Sequence, residues 1–198
     1  SLLNLNLNKF KISNYFIILI FSIMIFSTTK YHFRYNVERK FQDIENLDKS
    51  KAIKAEKIHP RMKHLRWITP YSEPDDEIML MKQAIKKIAD DKREKTLITH
   101  YQFFGMVLNE DLNILNRWYL WDNNTHPTET HKYFNFYKKM INKNIEENNV
   151  KVIYLLGNVK RDIVFDKIEN YFTDKCFKST TIFEERFSYH EIVDCKNK

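Results

Sequence analysis

The sequence predicts an α/β protein: an N-terminal transmembrane helix, then a small layered domain with a mostly parallel sheet and a C-terminal β-hairpin. Three observations support this prediction. An uncharged apolar run occupies residues 12–29. Amphipathic helical segments then alternate with short apolar strands, the pattern of helices packed on a mainly parallel sheet. Two cysteines, Cys176 and Cys195, bracket a β-rich stretch with a polar centre.

The apolar run is long enough to cross a bilayer. At 1.5 Å per residue it forms roughly 27 Å of helix, close to the thickness of the hydrocarbon layer. A buried core helix would need a polar face, which residues 16–26 almost lack. A cleaved signal peptide would end in an A-x-A-like site, whereas Phe26 is followed by Ser-Thr-Thr-Lys. We therefore predict a transmembrane helix over residues 12–30.

We predict four parts in the chain, of which this helix is the second. Residues 1–11 are interpreted as a truncated lead-in, because they begin with serine and look like the tail of a preceding segment. A processed N-terminus is the alternative. Residues 31–63 carry short charged helical pieces and form a predicted membrane-proximal collar. Residues 64–198 form the predicted soluble α/β domain.

Within the domain, three segments have helical spacing and three are apolar strands. The predicted helices are residues 76–92, 132–149 and 161–175. The predicted strands are residues 95–104, 116–122 and 150–157, and the last of these is almost wholly apolar, as expected for a strand buried on both faces. The apolar positions at helical spacing are Ile78, Met81, Ile85 and Ile88 in the first helix and Phe134, Tyr137, Ile141 and Ile145 in the second.

The composition disfavours some classes of binding partner. The formal net charge is +7, but the basic residues are interleaved with acidic ones among many asparagines and isoleucines, a pattern typical of an AT-rich genome. Attraction to anionic lipid headgroups or a sugar phosphate is the functional alternative. No recognised nucleic-acid motif is present, so we predict no nucleic-acid partner. With only 2 Gly in the chain, a glycine-rich nucleotide loop is disfavoured, and we predict no cofactor.

The two cysteines predict a disulfide. Folding the stretch between them about Glu185–Arg186 places Cys176 opposite Cys195. Opposed residues in a non-hydrogen-bonded antiparallel pair have Cα atoms about 4.5 Å apart, at or within disulfide range. A disulfide would place the domain in an oxidising compartment such as a bacterial periplasm. Two buried thiols are the alternative.

Two strand ends are candidate ligand-binding sites, because ligands of open α/β sheets bind beyond the carboxyl ends of the strands. The first, within "THYQFFG", offers His100, Tyr101 and Gln102. The second, "GNVKRD", precedes a predicted helix and offers Lys160 and Arg161 to a phosphate, although it lacks the glycine spacing of a phosphate-binding loop. Packing of the first and solvation of the second are the structural alternatives.

Metal binding and catalysis are not predicted. The segment "HPTETH" contains two histidines and a glutamate, but its spacing matches no common zinc motif. No serine–histidine–acid or cysteine–histidine set can be assembled. We therefore assign no catalytic residue and no metal ligand.

Several stretches between Tyr31 and Cys195 together resemble a known family. They are "YHFRYNVERKFQDIEN", "KIHPRMKHLRWITP", "DKREKTLITHYQFF" and "HKYFNFYKKMINKN" followed by "VKVIYLL". They look like the C-terminal region of multi-spanning bacterial glycosyltransferases of the protein mannosyltransferase superfamily, the type C glycosyltransferases. The resemblance implies a polyprenyl-phosphate sugar donor and a catalytic acidic residue in a loop far upstream. No catalytic residue of that family falls on this chain.

These observations lead to one functional hypothesis and one alternative. The hypothesis is the last span and extramembrane domain of a glycosyltransferase in the bacterial inner membrane. Its partners would be the bilayer, a polyprenyl-phosphate sugar and an unknown acceptor. The domain would be periplasmic, although more lysines and arginines follow the span than precede it, which by the positive-inside rule favours the cytoplasm. The alternative is a single-span anchored interaction domain without enzymatic activity.

Overall fold

A computed structural model describes residues 14–38, 47–70, 72–114, 126–158, 160, 165–172 and 174–195. The chain forms two compact units, Ser1–Leu47 and Asp48–Lys198. In the first unit, helix α1 (Asn14–His32) continues into a π-helical turn (Phe33–Glu38). The stretch Asn14–Asn36 has the length and apolar composition needed to cross a membrane. It is apolar on all sides rather than on one face, unlike an amphipathic surface helix.

The second unit contains six described strands and three described α-helices. The strands are β1 (Ile53–Lys54), β2 (Arg66–Trp67), β3 (Lys95–Thr99), β4 (Val152–Leu156), β5 (Cys176–Phe183) and β6 (Phe187–Val193). The helices are α2 (Pro74–Asp90), α3 (Phe104–Leu108) and α4 (Phe134–Glu147). Strands β1 and β2 form a small antiparallel pair, and the other four form one sheet in the order β3-β4-β6-β5.

The α/β class and the terminal hairpin are confirmed, but the sheet is mixed rather than mostly parallel. Strands β3 and β4 are parallel, whereas β4–β6 and β6–β5 are antiparallel. The difference arises because the second strand of the hairpin lies beside β4, so both of its neighbours run opposite to it. The strand predicted at residues 116–122 lies outside the described residues.

Alternating side chains of the sheet supply two apolar cores. Strand β4 is buried along its whole length, because helices cover both of its faces. Val152, Tyr154 and Leu156 pack on the side of α2, together with Leu97 of β3. Ile153 and Leu155 pack on the opposite side, against α4. The unit is therefore a three-layer sandwich with the sheet in the middle.

The predicted helices α2 and α4, whose apolar residues recur every 3.6 residues, are confirmed. All four apolar positions predicted for α2 are buried, and so are three of the four predicted for α4. The helix predicted over residues 161–175 instead forms two 3₁₀ turns, Phe165–Lys167 and Glu169–Phe172, within its described part. Here Phe165, Ile168 and Tyr171 recur every three residues and are joined by i to i+3 backbone hydrogen bonds of 2.8 and 3.0 Å. A period of three matches the 3₁₀ geometry.

The hairpin turns one residue earlier than predicted. Glu184 and Glu185 adopt left-handed φ values of 39° and 56°, and the Arg186 amide donates to the Phe183 carbonyl at 2.7 Å. As a result, the ladder partner of Cys176 is Val193 rather than Cys195. The predicted disulfide between Cys176 and Cys195 is nevertheless formed, with Cα atoms 5.1 Å apart, because the chain beyond Val193 brings Cys195 alongside.

Part of the segment predicted as a collar belongs to the core of the second unit. Ala55, Ile58 and Met62 are buried against the residues of α2. Two 3₁₀ turns, Ala55–Lys57 and Pro60–Met62, connect β1 to β2 and place these side chains inward.

Candidate functional site

The two parallel strands end side by side, as the strand-end rule requires. Thr99, the last residue of β3, pairs with Leu156, the last residue of β4, and its hydroxyl donates to the Leu156 carbonyl at 2.8 Å. The chain then continues to Tyr101 from β3 and to Gly157 from β4. The first turn of α2 and the start of β6 also reach this edge through their contacts with these residues.

A buried carboxylate gathers two aromatic donors at this edge. Glu77, in the first turn of α2, is only 1% exposed. It accepts a 2.9 Å hydrogen bond from the indole Nε1 of Trp67 and a second hydrogen bond from the hydroxyl of Tyr101. Burial, together with the negative charge of Glu77, raises the pKa of the Tyr101 hydroxyl above its ordinary value. Tyr101 therefore stays a hydrogen-bond donor to Glu77 throughout the physiological pH range.

Arg186 completes the cluster from the hairpin turn. It is 7% exposed, and its carbonyl accepts the Gly157 amide at 2.9 Å, which continues the β4–β6 ladder by one residue. The positive charge of its guanidinium acts on the Tyr101 hydroxyl and partly offsets the rise in the pKa of that hydroxyl. The strand-end cluster is defined here as Trp67, Glu77, Tyr101 and Arg186.

One edge of the Arg186 guanidinium has no acceptor within the described part of the chain. The Nε and Nη2 atoms are both buried and both lack a hydrogen-bond partner there. These two nitrogens lie on the same edge of the planar group, which can donate two parallel bonds to the oxygens of a carboxylate or phosphate. Leaving such charged donors unpaired costs on the order of 1–3 kcal/mol or more. The cluster therefore favours binding of an oxyanion.

Asn158 adds a second unsatisfied group to this region. It follows Gly157 directly, and its side-chain oxygen is buried without a hydrogen-bond partner among the described residues. A free oxygen acceptor one residue from the Gly157–Arg186 backbone pair suits a ligand that carries a hydroxyl group as well as an oxyanion. Aromatic rings border the cluster: Trp67 lies 6.0 Å from Tyr101 and 5.6 Å from Phe103, measured between ring centroids.

The structure brings together only some of the residues predicted to bind ligand. Tyr101 is part of the strand-end cluster, whereas His100 is half-buried and Gln102 is exposed in the following turn. Lys160 is exposed, and its ammonium lies 3.7 Å from the carboxylate of Glu184 in the hairpin turn. Arg161 lies outside the described residues. A ligand-binding role for these five residues stays a prediction.

Three members of the cluster were missed from the sequence. In the sequence, Glu77 is only one residue of the helix predicted over residues 76–92, and Arg186 is only part of the predicted hairpin turn. A signal for Glu77 was present, because Met81, Ala84 and Ile88 follow it at helical spacing and therefore share its face. For Arg186 and Trp67 no local signal existed. Within the described ranges, no group of three or more His, Cys, Asp or Glu side chains could hold a metal ion.

Comparisons with known proteins place the chain in no family. No family model matches it, and no curated protein and no solved structure matches it significantly. The fold and the site by themselves define an α/β domain, preceded in the chain by one apolar helix, with a disulfide-closed hairpin and a buried arginine at the strand ends.

Proposed function

We propose that this chain is the C-terminal part of a polyprenyl-phosphate-sugar-dependent membrane glycosyltransferase, in which the domain binds the acceptor and does not itself catalyse transfer. The unpaired edge of Arg186 carries the binding role, since it lies where open α/β sheets bind their ligands. The resemblance of residues 31–195 to type C glycosyltransferases suggests the parent enzyme. The group recognised on the acceptor would be a phosphate or a carboxylate.

In this proposal α1 is the last span and the domain is periplasmic, at the inner membrane of a bacterium. The length and composition of Asn14–Asn36 support anchoring. The Cys176–Cys195 disulfide is compatible with an extracytoplasmic domain, because cytosolic thiols are kept reduced. In a protein with many spans, upstream helices can fix the orientation against the local excess of lysine and arginine.

Binding at the strand ends requires an opening movement. The unpaired Nε and Nη2 atoms are covered in the present conformation, so an oxyanion reaches them only after neighbouring side chains shift. The free energy recovered by pairing the guanidinium offsets the cost of that shift. The expected kinetic consequence is slower association than for a ligand that binds without conformational change.

The direct test titrates the full chain in lipid nanodiscs with inorganic phosphate, acetate and glucose 1-phosphate by calorimetry. Arg186→Gln should weaken phosphate binding about tenfold or more, because one bidentate charged contact is lost. Arg186→Lys should recover only part of it, since an ammonium cannot donate in the same fork. Arg61→Gln, which removes an exposed guanidinium, is the matched control. Oxyanion binding that is absent, or equal in all variants, contradicts the binding role.

A separate test addresses the parent enzyme. The chain alone, supplied with a polyprenyl-phosphate sugar, should transfer no sugar, because the acidic catalytic loop of the family is not in this sequence. Robust transfer by the chain would contradict the proposed division of roles. The genomic reading frame upstream of Ser1 distinguishes the alternatives: further hydrophobic spans support the glycosyltransferase, and a start codon within a few residues supports the single-span interaction domain.

A further inference from the structure

A pocket of about 330 Å³ lies beside β5, and neither the sequence motifs nor the strand-end cluster includes it. The 3₁₀ turns of residues 165–172 form one wall and β5 forms the other. Phe165 and Phe177, both half-buried, give it an apolar side, to which Phe172 adds little because it is only 1% exposed. Phe165 and Phe177 meet edge to face at 4.8 Å between ring centroids, so this side is packed and fixed in position.

The opposite side of the pocket is polar and negatively charged. Asp166, Glu169 and Asn170 line it, and all three are exposed. Lys175 also lines it, but its ammonium is already paired with the Glu146 carboxylate at 3.3 Å, and its side chain is mostly buried. Among the described lining residues, two carboxylates therefore face the pocket against one ammonium that is already paired with Glu146. A ligand bearing a phosphate or carboxylate would be repelled.

A series of side-chain hydrogen bonds fixes the β5 side of the pocket. The Ser179 hydroxyl lines the pocket and lies 2.7 Å from Nδ1 of His190, and the Ser188 hydroxyl lies 3.1 Å from Nε2 of the same ring. Phe165 stacks on His190 at 4.0 Å between ring centroids. A neutral imidazole donates from one nitrogen and accepts at the other, so it fixes the orientation of both hydroxyls. The Ser179 oxygen keeps a lone pair for a ligand.

We infer that this pocket binds a single sugar ring that carries no acidic group. Carboxylate, amide and hydroxyl oxygens accept hydrogen bonds from the several hydroxyls of a sugar, while the C–H groups of the ring lie against the phenyl side. The volume is at the small end of the range for ligand pockets, about 300–1,000 Å³, and therefore fits one ring better than an oligosaccharide. The lining of the pocket favours a neutral sugar whether or not the chain belongs to a glycosyltransferase.

The two sites therefore select opposite ligands. The strand-end cluster offers one unpaired edge of a guanidinium and favours oxyanions, whereas the described lining of this pocket offers two carboxylates and disfavours them. A chain carrying both sites can bind an acidic compound and a neutral sugar at the same time. Their responses to substitution can be measured independently.

The test uses NMR to measure saturation transfer from the full chain to added sugars. The chain is held in nanodiscs, because sugar-based detergents would compete for the pocket. The probes are glucose, N-acetylglucosamine, glucosamine and glucose 6-phosphate. We expect the first three to receive saturation from the protein. The double variant Asp166→Asn, Glu169→Gln should weaken their binding about tenfold, because each loss turns a charged acceptor into a weaker neutral one. Asp76→Asn, an exposed carboxylate on α2, is the control and should change nothing.

A second variant keeps the test decisive if the double variant folds poorly. Ser179→Ala removes a hydroxyl that lines the pocket and is hydrogen-bonded to His190. It should weaken sugar binding and lower the melting temperature by only a few degrees, the cost of one hydrogen bond. Absence of saturation transfer to all three sugars overturns the inference, as does sugar binding that neither variant alters. Glucose 6-phosphate that binds more tightly than glucose to the Arg186→Gln variant would also overturn it, because this variant lacks the oxyanion site.

Discussion

The indole Nε1 of Trp67 donates a 2.9 Å hydrogen bond to the carboxylate of Glu77, which is almost completely buried. This contact joins β2 to the first turn of α2. It also fixes the carboxylate that accepts the Tyr101 hydroxyl hydrogen bond, and the charge of Arg186 acts on the same hydroxyl. The position of the candidate site at the strand ends therefore depends on a residue that lies in neither of the two parallel strands.

Glu77→Ala should lower the free energy of unfolding by about 3 kcal/mol, because it leaves two partly buried donors without their charged acceptor. Trp67→Phe removes one of these hydrogen bonds and should cost about 1–2 kcal/mol. Chemical denaturation of the full chain measures both. Glu73→Ala is the matched control, since this exposed residue precedes the same helix and makes no capping hydrogen bond with its side chain. Equal effects of the Glu77 and Glu73 substitutions would contradict a structural role for Glu77.

Cys176→Ser and Cys195→Ser should destabilise the domain to a similar extent. Their disulfide closes a loop with a sequence separation of 19, for which the chain-entropy model gives roughly 3 kcal/mol. The double variant should be no less stable than either single variant, because each change removes the same bond. Thiol labelling of protein unfolded without reductant, after free thiols are blocked at cell lysis, is the direct check. Two labelled cysteines would exclude the disulfide and would remove the support that it gives to an extracytoplasmic location.

His190 should make the domain less stable as the pH falls from about 6.5 to about 4. Burial lowers the pKa of His190 to about 4, although Asp166 acts in the opposite direction. Between these pH values the unfolded chain binds a proton that the folded chain does not, so the free energy of unfolding decreases by up to about 3 kcal/mol. Denaturant titrations at several pH values measure the slope. His190→Gln should flatten it in this window, and an unchanged slope would assign it to other groups.

At lower pH, protonation of Asp91 should be the main cause of the loss in the free energy of unfolding. Burial alone would raise the pKa of its carboxyl, but hydrogen bonds from Arg93 and from the Tyr154 hydroxyl, the latter at 2.7 Å, outweigh burial and hold the pKa well below the ordinary value. A depressed carboxyl pKa gives stability that is complete above about pH 4 and is lost as the pH falls further.

Asp91→Asn should therefore reduce the free energy of unfolding at pH 7 by about 2 kcal/mol and remove part of the pH dependence below pH 4. Asp90→Asn, which changes the neighbouring carboxylate, is the control. Urea unfolding of the full chain at pH 7 and pH 3 separates the two variants. A similar pH dependence for the parent chain and Asp91→Asn would show that the Arg93 and Tyr154 contacts do not stabilise the carboxylate.

The local sequence pattern predicted those helices and strands whose formation depends on residues close together in the sequence. The uncharged run gave α1, because length and apolarity alone decide whether a helix can span a membrane. The spacing of Ile78, Met81, Ile85 and Ile88 gave the buried face of α2, and the unbroken apolar stretch at Val152–Leu156 gave a strand buried on both faces. The positions of the two cysteines indicated the hairpin and its disulfide although the turn was placed one residue late.

By itself, then, the sequence determined the apolar helix, the α/β class, the buried faces of the main helices and the pairing of Cys176 with Cys195. Only the tertiary structure decided that β6 lies beside β4 and that the charge of Arg186 acts on Tyr101, 85 residues away. It also decided that Asp166 and Ser179 line one pocket. The physical reason is that helical and strand periods are read from adjacent residues, whereas strand order and polar contacts depend on which distant surfaces bury each other. A single sequence holds no local record of that choice.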